Sequence, residues 1–149
     1  MNYIASISDS YPYKHYGEFI SKNDYDYLIF VMGEKIHNLQ IDYKIIYNVT
    51  DMDLLYKWDI LAVNRTFYLA NEKVKMVLST LNIKHVEYIP ANAYTRDGLN
   101  INGYYILNIL DDKDIYRNEN TQVIYSERLV KAFKEYKLKG LTFYPIELS

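Results

Sequence analysis

The sequence predicts an α+β fold, one domain over residues 1–149, in which a mixed or mostly antiparallel sheet of four to six strands is flanked by two amphipathic helices and one short helix. Three observations predict it. The 149 residues are 50% hydrophobic and 24% charged, a globular composition at a length that supports one core. Ile41 to Val49 alternates apolar and polar side chains with the period of a strand. A helix-then-strand unit occurs twice in the C-terminal half, shifted by 55 residues.

Residues 1–57 read as a strand-rich N-terminal part. Tyr25 to Met32 is almost continuously apolar and ends at Gly33, so it reads as a strand that pairs with Ile41–Val49 across the loop Glu34 to Gln40. In the second strand Ile41, Tyr43, Ile45, Tyr47 and Val49 share the core face, opposite Asp42, Lys44, Ile46 and Asn48. So regular a strand argues that the N-terminal part completes the core. Thr50-Asp51-Met52-Asp53 then has the form of a helix start, a Thr cap with acids in the first turn, leading into a short helix that ends near Trp58.

The repeat units, 71–90 and 126–145, align without a gap. Asn71 and Ser126 are suited to cap a helix, and Glu72 and Glu127 follow where the helix dipole favours negative charge. Val74, Val77, Leu78 and Leu81 in one unit, and Leu129, Ala132, Phe133 and Tyr136 in the other, form helical apolar stripes. Each unit closes on a short strand, with Ile83, Val86 and Tyr88 before Pro90, and Leu138, Leu141 and Phe143 before Pro145, where proline is expected to end the ladder. Between the units, the turn-rich stretch Arg96 to Gly103 leads into Tyr104–Leu110, apolar enough for a central strand, and Gln122–Tyr125 supplies one more.

Charge and composition narrow the function. With 17 basic and 19 acidic residues the net charge is −2, which gives no field for binding a polyanion, so nucleic acid is not an expected partner. No apolar run approaches a membrane span, the first ten residues lack the form of a secretory signal, and no cysteine is present, so a reducing cytoplasmic setting is expected. The 18 tyrosines are an outlier. A bias that raises Tyr, Asn, Ile and Lys together accounts for most of them, and Tyr is also a residue of protein interfaces.

Motifs for chemistry are missing from the sequence. Asp111, Asp112 and Asp114 are followed by Ile115-Tyr116-Arg117 without the glycine and distal Glu of a calcium loop, and His15, His37 and His85 lack metal-ligand spacing. The five glycines form no phosphate cradle, and no nucleophile elbow occurs. No catalytic residue, metal or cofactor is therefore expected. A carboxylate pair drawn from Asp51, Asp53, Asp59, Glu72 and Glu87 defines the alternative, a small hydrolase or transferase. An aromatic carbohydrate-binding module is a third reading, which needs several exposed coplanar rings.

Five blocks in order, Asp59-Ile60-Leu61, Asn71 to Val74, Val86 to Pro90, Tyr104 to Asn108 and Leu138 to Pro145, carry a resemblance over about residues 58–148. This stretch resembles the immunity-protein 11 family of bacterial polymorphic toxin systems. It departs from the family pattern at Asn71, where Ser is commoner, and in a shorter acidic segment after the central strand. The resemblance implies that the chain binds a cognate toxin and neutralises it by occlusion, with no catalytic residue carried over. The residues expected to contact the toxin are Tyr94, Arg96, Asp97, Asp111, Asp112, Asp114 and Tyr116, aromatic and charged groups placed on loops. The acidic loops would suit a toxin with a basic, nucleic-acid-handling cleft.

Overall fold

In a computed structural model, which describes residues 1–147, twelve strands form three four-stranded sheets. The expectation of one sheet of four to six strands is thereby corrected. In chain order the elements are β1 (Asn2–Ile7), β2 (Gly17–Ser21), β3 (Tyr43–Tyr47), α1 (Asp53–Tyr56), β4 (Ile60–Ala62), β5 (Tyr68–Asn71), α2 (Glu72–Thr80) and β6 (Val86–Pro90). They continue as β7 (Ala93–Thr95), β8 (Asn100–Ile101), β9 (Tyr104–Ile109), β10 (Ile115–Arg117), β11 (Val123–Ser126), α3 (Glu127–Glu135) and β12 (Leu141–Ile146). The sheets run β4-β5-β9-β6, β10-β11-β1-β12 and β2-β3-β7-β8, all antiparallel apart from the β3–β7 pairing.

The repeat is longer than its sequence signal. Ile60 and Ile115, Tyr68 and Val123, Glu72 and Glu127, Val86 and Leu141 each begin matching elements 55 residues apart, so β4-β5-α2-β6 and β10-β11-α3-β12 are two copies of one unit. Their caps match too: the Asn71 and Ser126 side chains accept from the third helical N–H, Val74 and Leu129. At the far ends Asn82 and Lys137 both take left-handed dihedrals, and Ile83 and Leu138 donate back to Leu78 and Phe133, which closes each helix in the same way.

Each unit borrows its third strand from in front of the other. β9, which leads into β10, lies between β5 and β6, and β1 lies between β11 and β12. The registers coincide, with Tyr105 opposite Ala70 and Pro90, and Tyr3 opposite Tyr125 and Pro145. The strands themselves share Tyr-Ile-x-x-Ile, at Tyr3-Ile4 with Ile7 and at Tyr105-Ile106 with Ile109. The halves are also tied through their loops: Lys139 O accepts from the Asp59 and Ile60 amides, and Asp59 Oδ2 accepts from Lys139 N at 2.7 Å. In the reverse direction His85 O accepts from Leu110 N.

Two insertions in the first half build the third sheet, one carrying β2 and β3 and the other β7 and β8. Its apolar face, with Phe19, Tyr43, Ile45 and Tyr47, packs over Leu61, Leu69 and Ile106 of the first-half sheet in one core. The opposite face of that sheet, with Ile60, Ala70 and Ile109, joins α2, α3 and the inner face of the second-half sheet in the other core. The N-terminal part thus completes the first core, through the face expected of β3.

Several local expectations change. Tyr25–Met32 is no strand: Asn23 accepts from Tyr25 N through its side chain and from Asp26 N through its carbonyl, which turns the chain into a 3-10 helix over Asp26–Phe30 with Phe30 buried. β3 pairs instead with β2 and β7. Thr50 does not cap α1; Asp51 accepts from Asp53 N, and the helix is a single turn. Pro90 is the last residue of β6, but Pro145 lies inside β12, which an edge strand tolerates.

Candidate partner-binding surface

The two halves present equivalent sheet faces with opposite fates. On the first half the outward residues of the sheet are Leu61 (β4), Leu69 (β5), Ile106 and Asn108 (β9) and Ile89 (β6); all are buried beneath the third sheet and the segment between β2 and β3. Asn108 Nδ2 donates to Glu34 O at 2.9 Å and to Glu87 Oε1 at 2.8 Å, and Glu87 Oε1 also accepts from Ile36 N at 3.0 Å, which holds the segment 34–36 across the face. The equivalent positions on the second half are Tyr116, Ile124, Ile4, Ser6 and Tyr144. Here Ser6 and Tyr144 are exposed, Tyr144 at 47%, and Ile4 and Tyr116 are half-buried.

Ile124 is sealed at the centre of this face, flanked on the adjoining strands by Ile4 and Tyr116. Asn2 Nδ2 donates to Tyr116 Oη at 3.3 Å and fixes the ring on the sheet. With Thr142 and Ile146 on β12, the face carries apolar and hydroxyl groups and no formal charge. Charge depletion with tyrosine enrichment is the composition of an interface centre.

The seven expected contact residues separate into three groups. Tyr116 lies on the uncovered face, and Asp111 is exposed just before β10 in a left-handed conformation. Tyr94, Arg96 and Asp97 sit on the third sheet, Tyr94 between Ile46 and Asn100, and Arg96 donating to Asn48 Oδ1 at 3.4 Å. Asp112 and Asp114 are not presented at all, which corrects the expectation that their loop displays them: both are buried. Asp112 accepts from Asp114 N at 3.0 Å and from His85 N at 3.4 Å. Asp114 binds Ser126 Oγ at 2.6 Å and Arg128 Nη2 at 2.6 Å, and the Arg128 hydrogen bond holds its carboxyl below the usual carboxylate range. Two of the three carboxylates of the acidic loop expected to face a basic cleft are therefore spent on tying β10 to α3 and to the α2–β6 loop.

Tyr144 is the residue that sequence reasoning missed. It sits in the strand phase opposite to Phe143, whose ring packs on Phe133 and Tyr125, and the signal that exposes it is an alternation with no partner for its second face. Of the five carboxylates considered for a catalytic pair, four are engaged in separate hydrogen bonds: Asp51 to Asp53 N, Asp59 to Asn71 Nδ2 and Lys139 N, Glu72 to Tyr105 Oη, and Glu87 as above. Among the described residues no group of three or more His, Asp and Glu is placed to hold a metal ion, and no helix is long and apolar enough to cross a membrane. No protein-family model and no curated protein matches this chain.

Proposed function

We propose that this chain is an immunity protein that binds a cognate bacterial toxin domain in the cytoplasm and neutralises it by occlusion, and that the uncharged outer face of β10-β11-β1-β12 is where the toxin seats. The observation that carries the reading is the asymmetry between two otherwise equivalent halves: one sheet face is covered by the chain's own third sheet, and its counterpart, with Tyr116, Ile4 and Tyr144, is left uncovered by the described residues. Such a face supplies the apolar, aromatic centre of an interface of about 800 Å² per partner.

Co-expression with the C-terminal domain encoded by the adjacent gene tests the proposal, with growth and co-purification as readouts. Rescue of growth with a stoichiometric complex is the expected result. A neighbour that is toxic alone, and is neither rescued nor bound, sinks the reading.

A further inference from the structure

The two matching hairpins of the repeat, β4–β5 and β10–β11, meet at their loops and enclose a cleft of about 400 Å³. Arg65 and Thr66 line it from the first hairpin, and Arg117 and Gln122 from the second, with the rings of Tyr68 and Tyr125 as its wall. Arg117 bridges the hairpins, its Nη1 donating to Thr121 O at 2.5 Å and its Nη2 to Thr66 O at 3.3 Å. That accounts for two of its five donors. Its Nε is shielded from solvent without a partner, and so is the Nε of Arg65, whose guanidinium rests 4.8 Å from the centre of the Tyr27 ring.

No carboxylate lines the cleft, and the salt bridge found among the described residues, Arg128 with Asp114, lies elsewhere. Burial pulls the Arg117 pKa down, yet a guanidinium does not lose its proton in a protein, so the charge persists and calls for a counter-charge. We infer that this cleft is a binding site for the oxyanion, carboxylate or phosphate, of a small organic molecule, held by Arg117 and Arg65 with its flat or apolar body against Tyr68 and Tyr125. Planar guanidinium forks match both oxyanions, and a volume of this order is that of a small-ligand pocket. The inference stands apart from toxin binding, since the cleft opens between the hairpin loops and draws no residue from the uncovered face.

The test titrates the full chain with millimolar phosphate, acetate, phenyl phosphate and benzoate, at ionic strength held constant with chloride, reading amide shifts and the melting temperature. A saturable response that exceeds the chloride control, and is stronger for the aromatic anions, is expected; the stronger of the phosphate and carboxylate arms identifies the oxyanion. Arg65→Gln and Arg117→Gln are each expected to weaken binding about tenfold or more, as the loss of a charge-assisted contact does. Arg65 lies in the loop between β4 and β5, so its variant carries the test if Arg117→Gln fails to fold. No saturable response to any of the four, or an equal response in the arginine variants, overturns the inference. So does a need for Arg117 that shows only in a complex with a protein partner.

Discussion

The first half of the repeat and the second share caps, helix ends, strand register and strand exchange, and differ in what lies over the sheet. Ile106 and Ile4 occupy the same place on exchanged strands, yet Ile106 is fully buried under the third sheet and Ile4 is half-buried at the surface. A duplicated unit needs both faces of its sheet covered, and here the chain supplies one cover from its own insertions. The difference locates stability in the first half and an available apolar face in the second.

The largest effect is expected from cutting that pair. Ile106→Ala removes a fully enclosed side chain between two sheets and should cost about 2–5 kcal/mol, whereas Ile4→Ala should cost about 1 kcal/mol because its site is open on one side. Urea unfolding of the two variants measures both. Equal losses would mean that the outer face of the second half is covered as thoroughly as that of the first, and the asymmetry would be gone.

Next in size is the effect at the bare face on partner binding. Tyr144→Asp should change folding stability by about 0.5–1 kcal/mol, since about half of the residue is exposed, while weakening the toxin complex by about 2 kcal/mol or more. Tyr116→Ala should behave in the same sense. Arg96→Ala, on the third sheet, should leave affinity unchanged, and calorimetry of the three variants against the toxin sharpens the comparison. A reversal, with Arg96 essential and Tyr144 neutral, would move the interface to the covered half.

A third contrast lies in the latches. Asp114→Ala leaves the Ser126 hydroxyl without its acceptor and breaks the ion pair of Arg128, whose guanidinium keeps Leu81 O, and should cost about 2 kcal/mol. Asp59→Ala, at the matching position in the first half, loses acceptance from Asn71 and Lys139 but no ion pair, and should cost about 1 kcal/mol. Thermal unfolding of the two proteins ranks them.

What was legible in the sequence follows the same division. The helices, their caps and the apolar stripes could be read because Asn71 and Ser126 each sit before a Glu and a helical apolar pattern, a local signal given twice. The strand exchange could not, because β1 and β9 stand at a different spacing from the other elements and share three residues in six, too few to recognise without the register. β2 was missed since it begins at Gly17, where glycine is needed for another reason: an added Cβ would lie 2.5 Å from the Tyr47 ring. Tyr116 was legible as a loop-proximal aromatic, and Tyr144 was not, because burial of one strand face says nothing about the cover of the other. The roles of Asp112 and Asp114 depend on Arg128 and on the α2–β6 loop, contacts that exist only once the halves have met. The same holds for Arg65 and Arg117, brought together by hairpins far apart in sequence.

The smallest expected effect separates the halves by pH. His15 belongs to the insertion of the first half and is buried, with its Nδ1 unpartnered; burial, then Lys14 and Lys57, lower its pKa from the ordinary value near 6.5. The unfolded chain therefore takes up the proton first, so stability is complete above about pH 7 and falls as pH drops from about 6.5 toward the lowered folded value. Asp114 acts in a lower window, because its stabilising charge is present above the unfolded carboxylate value of about 4 and is lost only as pH falls through its depressed folded value. Urea midpoints measured from pH 7.5 downward should show a first decline that is flattened in His15→Gln and kept in Asp114→Asn, and a second, more acidic decline with the opposite dependence. A single decline that is insensitive to His15→Gln would place the pH response outside the insertion and leave the cover as rigid as the repeat beneath it.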